Sequence, residues 1–510
     1  MHAELAYVFR HAVLRDAAYQ LQLPGDRARL HGLAFGIIEE LIGGRPPASK
    51  PLDPERENAF ESHDSDPFAR ELAEHARLSA DARAGGAAVR KLYLRRAAEY
   101  AESRHRHPES AGLWEEHAGL ADEDEGSESL RRAALALQRG SGIRRAQELL
   151  ERVCERLVEA GNRRREGIVL ENLGILHSEA GRFEIAERTL EQALTCHREV
   201  GNRRFEGVTL GSIASLHSRT GKVGPAEVIF EQALAIHREV GHRNAEGHTT
   251  LNLANLYQAT GRVPQAESAY EKSLSIGQET GDRRKEGVVL LNLANLYQVS
   301  GRLEQAESTY QRALSLLRAA GLLREEGQAL GNLALVYLDT ARAELGERTL
   351  ERAIAIHREV ENRRFEGNAL TNMASHYRTT GRAAQARTTL NQALAIFREI
   401  GDRRQEGIVM GYIGGLSRQE NRFVDAEAAY KTAVEVHRET RNPRFLGAHL
   451  CEYALLLMQM KRPEEARDRW REGAAALRAA GDSAHLERLS GEMRQACLQT
   501  GVPDFVDSPR

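Results

Sequence analysis

Residues 201–240 have the sequence GNRRFEGVTLGSIASLHSRTGKVGPAEVIFEQALAIHREV, and residues 281–320 have the sequence GDRRKEGVVLLNLANLYQVSGRLEQAESTYQRALSLLRAA. The two stretches correspond position by position over 40 residues. The same unit starts at residue 161 and recurs every 40 residues, without insertion or deletion, through residue 480. Such a period is typical of repeat proteins, in which each unit buries its apolar face only by stacking on its neighbours.

Each unit contains the signals of two helices. A Gly suited to positive φ ends the preceding helix, and an Asn or Asp suited to an N-cap follows it. The glycines are Gly161, Gly201, Gly241, Gly281 and Gly401, and the caps are Asn162, Asn202, Asp282, Asn362 and Asp402. The first helix then runs for about 17 residues and ends at a Gly-Arg pair, as at 261–262 and 301–302.

The second helix places its inward residues at helical spacing, as Ala266, Tyr270, Ser273 and Leu274 show. No segment alternates at period 2. The sequence therefore predicts an all-α chain of stacked helix pairs, with a degenerate further unit at 121–160, where Ala146 falls in register with Ala186.

The pattern N-L-A-N-L-Y-x3-G-R-x3-A-E-x2-Y-E-x-S-L at 252–274 resembles the tetratricopeptide repeat (TPR). Its 40-residue length resembles the Pins-like and kinesin-light-chain-like variety. The resemblance implies an α-solenoid, a right-handed superhelix of antiparallel helix pairs whose first helices line a concave groove. The residues at the family's packing positions are Ala254, Ala294, Ala334, Tyr257, Tyr297, Tyr337, Ala266 and Ala306.

We divide the chain into five segments by composition and period. They are an N-terminal helical segment (1–43), a Pro-rich loop or disordered linker (44–66), degenerate TPR-like repeats (67–160), eight 40-residue repeats (161–480), and a capping helix with its tail (481–510). Within the tail we expect the last ten residues to be frayed.

The N-terminal segment resembles the helical region that follows the ATPase core of bacterial signal-transduction (STAND or cyclase-associated) ATPases. The matching residues are Phe9, His11, Ala12, Arg15, Asp16, Ala17, Ala18, Tyr19, Arg27 and His31. No G-x4-G-K-[ST] loop exists to hold phosphates. Three explanations of the missing nucleotide-binding core stay open: a separately encoded ATPase, descent from the tail of a larger protein, or a misassigned start.

Composition restricts the function further. The 510 residues carry 71 basic and 74 acidic side chains, and this near-balance argues against binding to nucleic acid or to an acidic membrane surface. Only seven basic residues are Lys; the Arg excess suits carboxylate partners, although a biased genome would give the same excess. Four scattered Cys and no signal peptide predict a cytoplasmic protein. The resemblance to bacterial signal-transduction ATPases implies a bacterial one.

The sequence contains no catalytic or metal-binding motif. His197, His237, His357 and His437 share one repeat position, and their spacing suits packing better than zinc. Glu427 and Lys431 are spaced as an exposed helix pair. We therefore expect a protein that is not an enzyme and that needs no cofactor and no metal.

One set of residues points to binding. Asn side chains recur at one position of the first helix, with two more one turn later, and Arg residues stand about two turns earlier. They are Asn172, Asn252, Asn292, Asn332 and Asn372, then Asn255 and Asn295, and then Arg164, Arg204, Arg284, Arg364 and Arg404. In TPR proteins this side of the first helix lines the concave groove. The resemblance therefore implies that the amides bind the backbone of a ligand and that the Arg side chains select carboxylates. Alternatively, the Asn are ordinary consensus residues and the Arg pairs are solvated.

The leading hypothesis is an interaction scaffold that binds an extended, acidic protein segment. The alternative is a sensor or regulatory arm of a split signal-transduction system, acting on an ATPase, cyclase or kinase in trans. The first hypothesis predicts that replacing Asn252, Asn292 and Asn332 by Ala weakens binding and leaves the fold intact, because solvated amides leave no buried unpaired group.

Overall fold

The computed structural model describes residues 22–53, 60–79, 86–104, 106–140 and 142–506, which form α-helices and contain no β-strand. Residues 9–19 of the ATPase-like pattern lie outside these ranges. Up to residue 160 the helices are α1 (Pro24–Leu41), α2 (Ala69–Leu78), α3 (Ala87–Ser103), α4 (His107–Ala118), α5 (Glu123–Arg139) and α6 (Ile143–Glu159), with a short 3-10 turn at Asp66–Phe68.

The eight repeats supply two helices each, as the sequence predicts. The pairs are α7 (Arg163–Glu179) and α8 (Phe183–Glu199), α9 (Arg203–Arg219) and α10 (Val223–Glu239), α11 (Arg243–Ala259) and α12 (Val263–Thr280), α13 (Arg283–Val299) and α14 (Leu303–Ala319), α15 (Leu323–Asp339) and α16 (Ala343–Glu359), α17 (Arg363–Thr379) and α18 (Ala383–Glu399), α19 (Arg403–Gln419) and α20 (Phe423–Glu439), and α21 (Pro443–Gln459) and α22 (Pro463–Ala479). Helix α23 (Ser483–Thr500) follows, and the predicted all-α fold is confirmed.

The turns between helices use the predicted residues. Gly281 and Gly401 adopt φ of +69° and +70°, and the Oδ1 atoms of Asp282 and Asp402 accept backbone hydrogen bonds three residues on. Asn362 is the exception, because its side chain forms no cap hydrogen bond. These local signals fix where each helix starts and stops.

The chain forms two compact units, one ending at Leu256 and one beginning at Tyr257. In the first unit, a core around Trp114 and Tyr93 extends into the first of the 40-residue repeats. In the second, Tyr310, Tyr430 and Trp470 are fully buried.

Within the second unit, Arg side chains tie successive repeats together. Arg342 stacks on the ring of Tyr337 at 4.6 Å and forms two hydrogen bonds, of 2.9 and 2.6 Å, with Glu307 of the preceding repeat. Arg382 repeats this arrangement with Tyr377 and Glu347. The Gly-Arg stop signal of the sequence therefore also joins neighbouring repeats.

The repeat at 321–360 departs from the consensus. The sequence suggests that Gly346, which replaces an interior Ala, weakens its helix. The structure adds a packing reason for the Gly, because a Cβ built at Gly346 would lie 2.5 Å from Leu338 Cδ2. The Leu338 side chain fills the space that the missing methyl group leaves. We still predict the fastest amide exchange of the array near residues 338–348.

The turn of this repeat carries strain that one substitution should remove. Ala341 stands where five of the other repeats have Gly, and it adopts φ of +59°. We expect Ala341→Gly to stabilise the second unit by about 1 kcal/mol, because a Cβ is unfavourable in the left-handed region. Gly301 stands at the equivalent turn of the preceding repeat and has φ of +74°, so Gly301→Ala should destabilise the second unit by a similar amount. Urea unfolding checks both; an unchanged midpoint for Ala341→Gly would contradict the strain.

The described parts of the Pro-rich segment are irregular and pack on α3. Arg95 donates a hydrogen bond to the carbonyl of Lys50 at 2.5 Å, and Leu52 is buried. Arg96 binds the buried carboxylate of Asp66 with contacts of 2.5 and 3.0 Å. These contacts attach the segment to the helical core.

The prediction of a frayed C-terminal tail is wrong for the residues that the structure describes there. Phe505 and Val506 are buried, and the indole of Trp470 donates a 3.4 Å hydrogen bond to the carbonyl of Val506. Arg467 lies over the Phe505 ring at 5.5 Å. The apolar end of the last repeat is covered by these residues and by α23, in which Leu489 and Met493 are buried.

Candidate functional site

A concave pocket of about 470 Å³ lies on the first helices of the second unit. Helices α15, α17, α19 and α21 all contribute to its walls. Four residues that the sequence singled out for binding line it together: Asn332, Asn372, Arg364 and Arg404. They come from three successive repeats, because the 40-residue period places equivalent side chains on adjacent first helices.

The amides of the pocket differ in how much hydrogen-bonding capacity they keep. Asn372 is half-buried and forms no hydrogen bond to another side chain of the described residues, and the same holds for the nearby Asn368. Asn332 instead donates to Oδ1 of Asn295 at 2.8 Å, and Tyr310 donates to the same atom at 2.6 Å. Asn372 therefore has both an amide donor and an acceptor available to a ligand.

These contacts correct the expectation that all groove amides are solvated in the free protein. Asn252 donates to Ser215 at 3.3 Å, and Asn172 accepts from Arg131 at 3.1 Å. Asn255 and Asn292 also have interaction partners. Replacing Asn332 would disturb its bond to Asn295, so the triple substitution suggested by the sequence would not test binding alone.

The five predicted arginines also fall into different environments. Arg404 is exposed and forms no ion pair with any residue that the structure describes, and the same is true of Arg284, which lies outside the pocket. Arg364 pairs with Asp402 at 3.2 Å. Arg204 contacts His242 at 2.9 Å, and Arg164 has an interaction partner as well. Of the two arginines in the pocket, Arg404 is therefore the one whose charge no carboxylate of the described residues balances.

In four of the five repeats that have an Arg-Arg pair here, the first Arg has a structural role that sequence reasoning missed. Arg403 binds the buried Glu406 at 2.6 Å and Glu439 at 3.0 Å, and Arg398 binds Glu406 at 2.9 Å. Burial raises the pKa of Glu406, but the hydrogen bonds from Arg398 and Arg403 outweigh it and lower the pKa below its usual value. The fixed spacing of Arg and Glu three residues apart was the available signal.

Sequence reasoning also missed the aromatic side chains of the pocket. Phe365, Tyr412 and Phe445 line it, and the ring of Phe365 lies 5.6 Å from that of buried His357. Behind Phe445, His437 Nε2 lies 3.0 Å from His449 Nδ1, and both imidazoles are buried. Burial lowers the pKa of His449 to about 3, so the ring is neutral at pH 7. His357 and His437 are buried and pack against neighbouring rings, as their repeat position predicts.

Glycines permit this close packing between helices. A Cβ built at Gly327 would lie 2.6 Å from His357 Cε1, and one at Gly407 would lie 2.9 Å from His437 Cε1. Phe397 takes the place of the histidine against Gly367. In these repeats the Gly of the Glu-Gly pair therefore marks a close contact between the first helix and the second helix of the same repeat.

Two further kinds of site, metal sites and membrane-spanning helices, are not found among the residues that the structure describes. Among the described residues, no group of three or more His, Cys, Asp and Glu is placed to hold a metal ion. Lys431 pairs with Glu427 at 2.9 Å, as the spacing predicts, and Lys222 pairs with Glu187. In the same ranges no helix has the length and apolarity needed to cross a bilayer.

Comparison with known sequences identifies the repeat. The tetratricopeptide repeat model matches residues 165–239, 247–319, 325–399 and 365–439, which together span more than half of the chain. No curated protein matches the sequence.

Several solved structures are similar to parts of this chain. The apo quorum sensor NprR from B. thuringiensis has 17% identity and a TM-score of 0.49, with 66% of this chain and 96% of that chain covered. A signal transduction ATPase with a tetratricopeptide repeat sensor, from Pyrococcus horikoshii, has 16% identity and a TM-score of 0.47, with 90% and 67% covered. Kinesin light chain TPR-like repeats from Podosopora anserina have 21% identity and a TM-score of 0.32, with 38% and 95% covered.

Proposed function

The chain belongs to the tetratricopeptide repeat family, and we propose that it is a non-enzymatic interaction scaffold that binds an extended, acidic protein segment. The single observation that carries the proposal is the pocket in which Asn372 and Arg404 lie together without side-chain partners in the described structure. An amide that can both donate and accept suits a peptide backbone of any sequence. A guanidinium without a carboxylate partner suits an acidic side chain.

Charge in the pocket supports an acidic ligand. Arg364 and Arg404 carry two positive charges against the one negative charge of Asp402. The buried histidines behind the wall add none, because burial lowers the pKa of His437 and His449 to about 3. A carboxylate that reaches Arg404 would therefore complete the local charge balance, and it could share Arg364 with Asp402.

The proposal predicts a specific loss of binding. We expect the full chain to bind labelled peptides rich in Asp and Glu more tightly than neutral peptides of equal length in fluorescence anisotropy. The double substitution Asn372→Ala and Arg404→Ala should weaken this binding roughly 30-fold or more, because it removes one neutral and one charged hydrogen bond. The loss should shrink at high salt, since exposed charges are screened.

Arg284→Ala is the matched control, because Arg284 stands at the same repeat position, is equally exposed, and does not line the pocket. Arg284→Ala should weaken peptide binding less than Arg404→Ala does. If Arg284→Ala weakens binding as much as the pocket variant does, the site is not this pocket. If no acidic peptide binds better than a neutral one, the proposed function is wrong.

A second candidate function, the regulatory arm of a split ATPase, cyclase or kinase system, is favoured by one observation. Helix α1 exposes an apolar stripe at helical spacing: Leu30, Leu33, Ile37 and Leu41. If α1 rather than the pocket binds such a protein, its affinity should be unchanged by Asn372→Ala and Arg404→Ala. This outcome would distinguish the two functions.

A further inference from the structure

We propose that the end of the pocket formed by Tyr412 and Phe445 is a socket for an apolar side chain that lies next to the acidic residue held by Arg404. The inference rests on the proposed function, because it names the class of peptide that the same pocket takes. The ligand would then be an extended segment in which an acidic residue adjoins a Leu- or Phe-like residue.

The first observation is where the amides end. Asn292, Asn332 and Asn372 occupy one position in successive repeats of the second unit, and the next two repeats have Tyr412 and Glu452 there. A peptide backbone that passes Asn372 therefore meets an aromatic ring instead of a further amide. Beyond the ring, the carboxyl group of Glu452 is no partner for an acidic segment. The chemistry of recognition changes at Tyr412 from backbone hydrogen bonding to side-chain packing.

The second observation is that the socket wall is held rigidly from behind. The Phe445 ring stacks on that of His437 at 6.0 Å, and His449 lies 5.9 Å from Phe445 and 6.2 Å from Tyr412. His437 and His449 are buried and joined by a 3.0 Å contact between ring nitrogens. A wall that is already ordered loses little conformational freedom when a ligand binds, which favours affinity.

The third observation is the combination of chemistry within one pocket. Tyr412 and Phe445 are half-buried, so parts of their surfaces still face solvent, and Ile408 adds an aliphatic surface. Arg404 lines the same pocket, on the same helix as Tyr412. Covering aromatic surface next to a cation favours a ligand that presents an apolar group and a carboxylate side by side.

The test compares three labelled peptides, all rich in Asp and Glu, that contain one Phe, one Leu or no apolar residue. Full-length protein should bind the Phe and Leu peptides about 10-fold more tightly than the peptide without either. Phe445→Ala and Tyr412→Asn should each reduce this preference severalfold and change the affinity for the apolar-free peptide less than twofold. Tyr412→Asn introduces the residue that earlier repeats carry at this position, so it keeps the repeat consensus.

The outcomes separate the two proposals. If the three peptides bind equally and Arg404→Ala weakens all of them, the acidic-segment function stands and the socket is wrong. If none of the three binds, the proposed function itself fails. If the apolar preference persists in both Phe445→Ala and Tyr412→Asn, with thermal unfolding showing folded protein, the preference arises elsewhere and the socket is overturned.

Discussion

We expect Gly411→Ala to destabilise the C-terminal repeats by roughly 3 kcal/mol or more, since the added methyl group overpacks a fully occupied core. A Cβ built at Gly411 would lie 2.0, 2.2 and 2.3 Å from Cε1, Nε2 and Nδ1 of His449. The imidazole has no free space to move into, because it is 2% exposed and lies against His437, Tyr412 and Phe445.

Gly331→Ala is the matched control for this prediction. Gly331 occupies the same repeat position two repeats earlier, and nothing lies within 4 Å of a Cβ built there. This substitution should stabilise its helix by about 0.5–1 kcal/mol, because Ala has the higher helix propensity. Combining Gly411→Ala with His449→Ala should recover part of the loss, since Ala329 and Ala369 are the natural residues at the position of His449.

Urea unfolding followed by circular dichroism measures these effects. If Gly411→Ala unfolds at the wild-type midpoint, the close packing of His449 against α19 is wrong. A loss of similar size in Gly331→Ala would instead mean that any side chain at this repeat position is harmful.

The second large effect concerns pH. We expect the second unit to lose stability as the pH falls from 7 to 5, because His437 and His449 are buried without charge. Burial, the neighbouring imidazole of His449 and the charge of Arg404 lower the pKa of His437 to about 3. Burial and the charge of His485 lower the pKa of His449 to about 3.

The sign follows from proton uptake. The unfolded chain binds protons near pH 6.5, whereas the folded histidines bind them only near pH 3, so acid favours the unfolded state. The stabilisation is complete above pH 6.5 and is lost progressively as the pH falls toward 3. Each histidine should lower the free energy of unfolding by about 2 kcal/mol between pH 7 and pH 5, because one pKa unit corresponds to about 1.4 kcal/mol.

The test measures the slope of stability against pH rather than stability itself. His437 and His449 together contribute part of this slope. His437→Phe should remove about half of that part, because one of the two groups no longer titrates. Phe397 is the natural residue at the equivalent position, so the ring fits. Glu452 acts in the opposite direction, since burial raises its pKa, and the comparison between variants removes its effect. An equal slope in wild type and His437→Phe would contradict the prediction.

The sequence alone determined the features that depend on neighbours along the chain. The 40-residue period, the Gly and Asn or Asp signals and the helical spacing of apolar residues predicted the helix pairs, because propensity, capping and amphipathicity are local properties. Periodicity also predicted that equivalent side chains of successive repeats share a surface. Asn332, Asn372, Arg364 and Arg404 do line one pocket in the structure.

Tertiary structure decided which of these equivalent residues are committed to other contacts. Asn332 bonds to Asn295 and Arg364 to Asp402, whereas Arg404 forms no such ion pair in the described ranges. Only the fold placed Tyr412 and Phe445, from different repeats, around the buried His449. The repeat consensus gives every unit the same residue pattern, but side-chain partners come from adjacent helices, and their identities vary from unit to unit. Hydrogen bonding and close packing depend on those three-dimensional neighbours, so they cannot be assigned from position in the repeat.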